Sequence, residues 1–379
     1  MVVLWERLRA AFLADAPADL SLQRLETSFS FMEGIRRFRA HRWRKRDLQY
    51  CVLLPILLFA FIICSKPPIL IRILMAAVYI YLIAAPATSQ FFLPFLPTGT
   101  YLILFYSCGF INPKYRPPIF VRLLPGLETI FYGGDLSATL AASPNSVCDI
   151  LAWIPYGLGH FGAPFVVSLI MFLFGPPTTL PSFHFAFGFM NVIGVTTQLL
   201  FPNAPPWYRN LHGLEKASYD MQGSPGGLAR IDKILGANLY TAGFTGSPMV
   251  FGAFPSLHSA DAVMEALFLS YLFPKCTPFV TGYVLWIWWA TMYLTHHYFA
   301  DLIGGGVLSL FVFNLCRITI MAQAERGKFG RWSYSQLTFG LGNASRVEQT
   351  PLNRAYALYD EETQGDPIYE EEMVELSSR

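Results

Sequence analysis

The sequence predicts an all-α polytopic membrane protein, and two features of its composition support this. Only 14% of the 379 residues are charged and 54% are hydrophobic, whereas soluble domains carry about 25% charged residues. The charges are also unevenly spread, since no Asp, Glu, Lys or Arg occurs in residues 73–113 or 150–208. A helix needs about 20 apolar residues to cross the hydrocarbon core, so each run is long enough for two crossings.

Residues 1–47 form a basic N-terminal segment that has no apolar core. It ends in a cluster of cations directly before the first apolar run, namely Arg36, Arg37, Arg39, Arg42, Arg44, Lys45 and Arg46. By the positive-inside rule, this cluster predicts a cytosolic N-terminus. Phe38 and Trp43 lie among the cations, which is typical of a segment resting on anionic head groups. A plain topology signal explains the cluster equally well.

A transmembrane domain is predicted over residues 48–321. Its apolar segments are 48–64, 69–85, 91–111, 150–174, 180–201, 257–273, 278–295 and 300–321, and residues 86–90 are the predicted break between the second and the third. An even number of crossings places both termini in the cytosol and both long connections, 112–149 and 202–256, on the lumenal side. Segment 91–111 contains two prolines, and if it does not cross, every later loop is inverted.

The last part of the chain, residues 322–379, is polar and ends in an acidic stretch. This composition predicts a cytosolic, largely disordered tail.

The candidate catalytic residues are ionisable side chains at the ends of membrane segments, where burial is costly and a functional role is the default interpretation. His297 and Asp301 are four residues apart, so on a helix the carboxylate reaches the imidazole and fixes its tautomer. Taken alone, that pair is also explained by a purely structural role, as polar side chains that cap a helix end. His258, however, begins a span one helical hairpin earlier, on the same membrane side. The three residues together are therefore the predicted acid–base and nucleophile set.

Two motifs around these residues resemble the type-2 phosphatidic acid phosphatase superfamily. Residues 255–258, Pro-Ser-Leu-His, resemble its second signature, with Leu257 where the phosphatases usually have Gly, and residues 297–301 resemble its third. The chain is more closely similar to the fungal inositol phosphorylceramide synthases, the family targeted by aureobasidin-type antifungals. That resemblance covers about residues 112–321, and its loop motifs are residues 201–208, 223–232 and 251–259.

The resemblance implies a six-helix, lipid phosphatase-like catalytic core, preceded by a transmembrane hairpin at residues 48–85. It also implies transfer of phosphoinositol from phosphatidylinositol to ceramide, with release of diacylglycerol. In that reaction His297 attacks phosphorus to form a phosphohistidine, Asp301 orients His297, and His258 acts as general acid and then as general base. A Golgi membrane, a lumenal catalytic face and, in some fungi, a small membrane regulatory subunit are further implications. No cofactor or metal is expected, and a net charge of +2 indicates no nucleic-acid partner.

Departures from the phosphatase pattern bear on the substrate. The first signature, Lys followed by six residues and Arg-Pro, is absent, and Ala290-Thr291 stands where the superfamily has Ser-Arg. Those cations hold a phosphate monoester, whereas a diester carries less charge. Their loss favours a transferase over a lipid phosphatase, which is the alternative. A membrane transporter is less favoured, because its charges would be scattered along a path through the bilayer.

Substrate-binding residues are predicted less directly. Arg230 is the preferred phosphate ligand, and the other candidates are Arg209, Lys216, Lys233, Trp207 and Tyr208. Asp261 and Glu265 lie on the same helix face as His258. Three roles are open for these two carboxylates: tuning of His258, contact with substrate hydroxyls, or a structural buried pair.

Overall fold

The computed structural model describes residues 2–13, 25–41, 43, 45–325, 327–334, 336–340 and 346–349. Arg42 and Arg44 of the basic cluster lie outside the described residues, as does the acidic end of the chain. The chain divides into two compact units. The larger consists of residues 27–170 and 180–316, and the smaller consists of residues 1–26, 171–179 and 317–379.

Helices dominate the described residues, and each predicted span coincides with a helix. In chain order they are α1 Val2–Leu13, α2 Phe31–Ala40, α3 Tyr50–Ile63, α4 Ile69–Ala84, α5 Pro86–Cys108, α6 Leu123–Tyr132, α7 Leu136–Ala141, α8 Ser146–Trp153, α9 His160–Leu173, α10 Thr179–Leu200, α11 Pro206–His212, α12 Leu228–Leu235, α13 Leu239–Thr245, α14 Leu257–Leu272, α15 Thr277–Tyr293 and α16 Phe299–Thr319. A π-helical segment, Ile154–Gly159, joins α8 to α9.

Among the described residues, five helical stretches are long and apolar enough to cross a membrane. They are Lys45–Ile63, Pro86–Cys108, Ser146–Leu173, Thr179–Leu200 and Phe299–Thr319. Helices α14 and α15 have 16 and 17 residues, which is near the lower limit of about 17 for a crossing. Segment 91–111 falls largely within the 23-residue helix α5, so its prolines do not break the helix. The side of the membrane on which each loop lies stays a prediction.

The predicted break at residues 86–90 is wrong. Helix α4 ends at Ala84 and α5 begins at Pro86, so the break is the single residue Ala85. Pro86 stands at the first helical position, where its missing N–H costs no hydrogen bond and its fixed φ suits the helix.

Helices α14 and α16 approach closely at their N-terminal ends. The backbone N–H of Ser256 donates to the carbonyl oxygen of Asp301 at 3.0 Å, and Ser259 Oγ donates to the carbonyl oxygen of Leu302 at 2.6 Å. A Cβ on Gly305 would collide with the carbonyl oxygen of Ser256. Glycine therefore permits this approach, which brings the starts of the two helices together.

The two long connections are tied to each other by backbone hydrogen bonds. Phe120 N–H donates to the carbonyl oxygen of Pro202 at 2.9 Å, and Asn203 N–H donates to that of Phe251 at 2.8 Å. Ala253 N–H in turn donates to the Asn203 carbonyl at 3.2 Å. Three segments thus lie side by side immediately before α14, and they fix the direction in which that helix begins.

The smaller unit contains a two-stranded antiparallel sheet, β1 Gln336–Phe339 and β2 Arg346–Gln349. Tyr334, Leu337 and Phe339 pack with Ala322 in a small buried core. In the tail that was predicted to be largely disordered, residues 336–339 and 346–349 are therefore paired strands, and residues 341–345 and 350–379 lie outside the described residues.

Candidate active site

His258 lies in the first turn of α14, which is capped by the Ser256 side chain accepting from the backbone N–H of Ser259 at 3.3 Å. Its imidazole stacks on the ring of Tyr156, with centroids 4.6 Å apart and an interplanar angle of 20°. The ring of His160 lies 4.4 Å away. Tyr156 and His160 are one turn apart, so the π-helical segment and the start of α9 fix the orientation of His258.

His258, His297 and Asp301 form a continuous hydrogen-bonded chain. His258 Nδ1 lies 3.0 Å from His297 Nε2, and His297 Nδ1 lies 3.2 Å from Asp301 Oδ2. An ionised carboxylate only accepts, so Nδ1 of His297 carries the proton and its Nε2 has the free lone pair. His258 Nδ1 must then be the donor to that lone pair. Phosphorus bonded to His297 Nε2 would take the place of this hydrogen.

The turn that presents His297 is held by its neighbours. Thr295 has a left-handed backbone with φ of 64°, a conformation that costs energy for a β-branched residue. Trp207 N–H donates to the carbonyl oxygen of Thr295 at 2.9 Å, and the N–H groups of His296 and His297 both point to the carbonyl of Thr291, at 2.9 and 3.3 Å. The strained turn is therefore specified by the surrounding backbone.

The glycine-rich segment at residues 223–227 packs against the same turn. Gly227 N–H donates to the carbonyl oxygen of Leu294 at 3.0 Å. Gly226 has a positive φ of 52°, and a Cβ there would lie 2.5 Å from the carbonyl oxygen of Leu294 and 2.7 Å from Thr295 Oγ1. Both the conformation and the space require glycine at this position, so the segment shapes the turn that presents His297.

His296 makes hydrogen bonds through both ring nitrogens. Its Nε2 lies 2.9 Å from the carbonyl oxygen of Pro225 and its Nδ1 lies 2.6 Å from Tyr156 Oη. Because a carbonyl only accepts, Nε2 carries the proton and Nδ1 accepts from the tyrosine. Burial lowers the pKa of His296 to about 4. His296 is thus a neutral structural link between the glycine-rich segment and the π-helical segment.

Two of the candidate phosphate ligands are arginines that form ion pairs. Arg230 forms an ion pair with Asp149 at 2.7 Å and lies over the ring of Tyr293. Arg209 pairs with Asp135 at 2.8 Å. Burial acts to lower the pKa of Arg230, but the hydrogen bond and charge of Asp149 outweigh it and raise the pKa. Both guanidinium groups are therefore engaged with carboxylates, and their role as phosphate ligands stays a prediction.

The other candidates divide between surface and core. Lys216 and Lys233 are exposed. Trp207 and Tyr208 are buried and pack with Phe251, so the aromatic pair supports the backbone that leads into α14. Their role in substrate binding also stays a prediction.

Glu128 is a residue that sequence reasoning missed. It is fully buried in α6, and its Oε1 accepts the backbone N–H of Ala300 at 2.9 Å while its Oε2 accepts that of Leu136 at 3.4 Å. Ala300 precedes Asp301 in the first turn of α16, so Glu128 caps the helix that carries the candidate catalytic carboxylate. Burial raises the pKa of Glu128. Nothing in its local sequence distinguishes this residue.

Asp261 and Glu265 are both 3% exposed. Asp261 Oδ1 accepts from Asn191 Nδ2 at 2.7 Å, and His160 Nδ1 lies 3.9 Å from Asp261 Oδ2, which is too long for a hydrogen bond. The spacing of three and four residues places His258, Asp261 and Glu265 on one face of α14, in the order that the sequence predicted.

Comparisons with known proteins show the family of the chain. Residues 128–315 match the model of the PAP2 superfamily. The chain is 48% identical to inositol phosphorylceramide synthase of Candida albicans over 86% of this chain and 69% of the relative. It is 50% identical to the catalytic subunit of that enzyme in Saccharomyces cerevisiae, over 86% and 81%. A phosphoinositol dihydroceramide synthase of Bacteroides thetaiotaomicron is 30% identical, over 62% and 79%. No solved structure matches.

Proposed function

Because the chain belongs to the inositol phosphorylceramide synthase family, we propose that it transfers phosphoinositol from phosphatidylinositol to the primary hydroxyl of ceramide and releases diacylglycerol. The observation that carries this proposal is the hydrogen-bonded chain from His258 through His297 to Asp301. It supplies a nucleophilic nitrogen, a carboxylate that orients the ring and a second imidazole that moves a proton, all within one buried cluster.

The reaction proceeds in two displacements. In the first, His297 Nε2 forms a bond to phosphorus, the bond from phosphorus to the diacylglycerol oxygen breaks, and His258 gives that oxygen a proton. In the second, His258 takes the proton of the ceramide hydroxyl, the hydroxyl oxygen attacks phosphorus and the N–P bond breaks. Asp301 stabilises the positive charge that develops on His297 in each step.

The surroundings of His297 support a diester substrate. Ala290 and Thr291, which stand where the superfamily has Ser-Arg, are both fully buried. No cationic side chain therefore stands at this position, so the charge that grips a phosphate monoester is missing here.

The experiment for the proposed function uses purified protein in detergent with labelled phosphatidylinositol and a fluorescent ceramide. The expected products are a fluorescent inositol phospholipid and diacylglycerol, in equal amounts. Release of inorganic phosphate from phosphatidic acid, without a fluorescent product, would establish the phosphatase alternative. The variant His297→Gln is the control, because it keeps the size of the side chain and removes the nucleophile.

We propose further that the protein resides in the Golgi membrane with cytosolic termini and lumenal catalytic residues, and that a small membrane subunit regulates it. The helices at all eight predicted spans and the basic cluster before α3 support the orientation. An N-glycosylation acceptor engineered near Ser143 or Gly246 is expected to be modified in microsomes. If the acceptors in both loops stay unmodified and an acceptor engineered near the N-terminus is modified, the topology is the inverse of the proposed one.

A further inference from the structure

A group of polar side chains lies inside the helix bundle, below His258. The acceptor cluster consists of Asn191, Asp261 and Glu265, which are 0%, 3% and 3% exposed. Asp261 and Glu265 follow His258 on one face of α14. At 1.5 Å of rise per residue they lie about 4.5 and about 10 Å further along the helix, towards the interior of the bilayer.

The acceptors in this cluster outnumber the donors. Asn191 Nδ2 donates to Asp261 Oδ1 and to the backbone carbonyl of Phe187, at 2.7 and 3.0 Å. Asn191 Oδ1 and Glu265 Oε1 are buried without a hydrogen-bond partner. The nearest basic group to Asp261 Oδ2 is His160 Nδ1 at 3.9 Å. Within the described residues, neither carboxylate forms an ion pair with Lys or Arg.

Buried acceptors without donors are costly, and the cost is greatest in the hydrocarbon region, where water does not compensate them. In the nearby triad the carboxylate of Asp301 is paired with an imidazole through Oδ2, although its Oδ1 is also buried without a partner. A phosphate would add negative charge and further acceptors, so it does not fit the cluster. A ligand that brings hydroxyl or amide N–H donors and no charge does fit it.

We infer that the acceptor cluster binds the polar head of ceramide, with its secondary hydroxyl and amide N–H donating to Glu265, Asp261 and Asn191. This inference rests on the proposed function. Ceramide suits the position because its head is uncharged and its donors lie next to the primary hydroxyl that His258 deprotonates. The inositol ring also carries hydroxyl donors, but it remains attached to the anionic phosphate at the triad.

The test separates the two half-reactions in the variants Glu265→Gln and Asp261→Asn, which keep side-chain size. Exchange of labelled diacylglycerol into phosphatidylinositol needs no ceramide and reports the first displacement alone. We expect the KM for ceramide to rise at least about tenfold, as for the loss of one buried hydrogen bond. The exchange rate should change by less than about threefold. His184→Gln is the matched control, since His184 is buried in α10 and bonded to Thr98 and Ser168.

Equal losses in the rates of exchange and of transfer would overturn the inference and assign the cluster to inositol. An unchanged KM for ceramide would also overturn it. Should both variants fail to fold, the wild-type protein gives the answer with two ceramide analogues, one without the secondary hydroxyl and one methylated at the amide nitrogen. Each should be transferred with a KM at least about tenfold higher, and KM values equal to that of ceramide would contradict the inference. Failure of wild-type exchange would instead contradict the proposed function, so the two failures are distinct.

Discussion

Two polar regions meet at His258, and they differ in how their carboxylates are partnered. In the triad, each imidazole has a partner, Asp301 bonds to His297, and the turn around His297 is held by backbone hydrogen bonds from two other segments. Asp301 Oδ1 is buried without a partner, as are Asn191 Oδ1 and Glu265 Oε1 in the acceptor cluster. Within the described residues, however, neither carboxylate of that cluster is hydrogen-bonded to an imidazole. A carboxylate bonded to an imidazole therefore indicates where chemistry is set up, whereas the carboxylates of the cluster are open to a donor from a ligand.

The largest expected effect separates the roles of the two histidines in the triad. His297→Ala should abolish both diacylglycerol exchange and transfer, a loss of at least about 10⁴-fold. His258→Ala should also be slow with phosphatidylinositol, but it should recover partly with a substrate whose leaving group is a phenol, which departs without a proton. Turnover of both substrates by purified variants is the measurement. Recovery of His297→Ala with that substrate, and none for His258→Ala, would show that the two assignments are reversed.

The next effect tests whether the glycine-rich segment preorganises the triad. Gly226→Ala combines a positive φ with a clash against the carbonyl of Leu294, so it should distort the turn of His297 and lower kcat about 10²-fold or more. Gly236→Ala is the control, since its φ of 63° is similar but its Cβ meets nothing within 4 Å. That variant should lose only about 1–2 kcal/mol of stability. Equal kcat values in the two variants would remove the segment from the catalytic mechanism.

A smaller expected effect distinguishes two roles of Arg230, binding of the substrate phosphate and a purely structural ion pair. If it holds the lipid phosphate, Arg230→Ala should raise the KM for phosphatidylinositol about tenfold, and Lys should restore it only in part because it lacks the planar fork. Asp149→Asn removes the partner of Arg230 and leaves the guanidinium in place, so it should not raise that KM. Parallel rises in both variants, accompanied by the same loss of thermal stability, would make the ion pair structural.

The smallest effect concerns pH. The pKa of His296 is lowered to about 4 in the folded protein, below its ordinary value of about 6.5. The unfolded chain therefore takes up a proton that the folded chain does not, and stability should fall as the pH drops from about 6.5 to about 4. His296→Gln keeps one donor and one acceptor and should lose part of this acid sensitivity in thermal unfolding. His212→Gln, at an exposed histidine, should keep it.

Local patterns were sufficient to predict helices at the spans and the proximity of the three triad residues. Apolar runs locate helices because a crossing has a fixed length, and His297 and Asp301 meet because four residues make about one helical turn. The partners of these groups were not predictable in this way. Glu128 contacts Ala300 across 172 positions, and Asn191 contacts Asp261 across 70. Such contacts depend on how the helices pack, which no local pattern records. Arg230 shows the converse, since the sequence made it the preferred phosphate ligand and the fold gives its guanidinium a carboxylate partner, Asp149.

The close approach of α14 and α16 at Gly305 has a consequence for how the chain tolerates change. The connection between α14 and α15, residues 273–276, lies at the far end of two helices of 16 and 17 residues, about 24 Å from the histidines. The separation of the two imidazoles is set by the contacts of Ser256 and Ser259 with the first turn of α16. Lengthening that connection, or cleaving it in the assembled protein, therefore leaves the distance between the two imidazoles unchanged. The catalytic distance is a property of packing between helices and is independent of the loop that joins them.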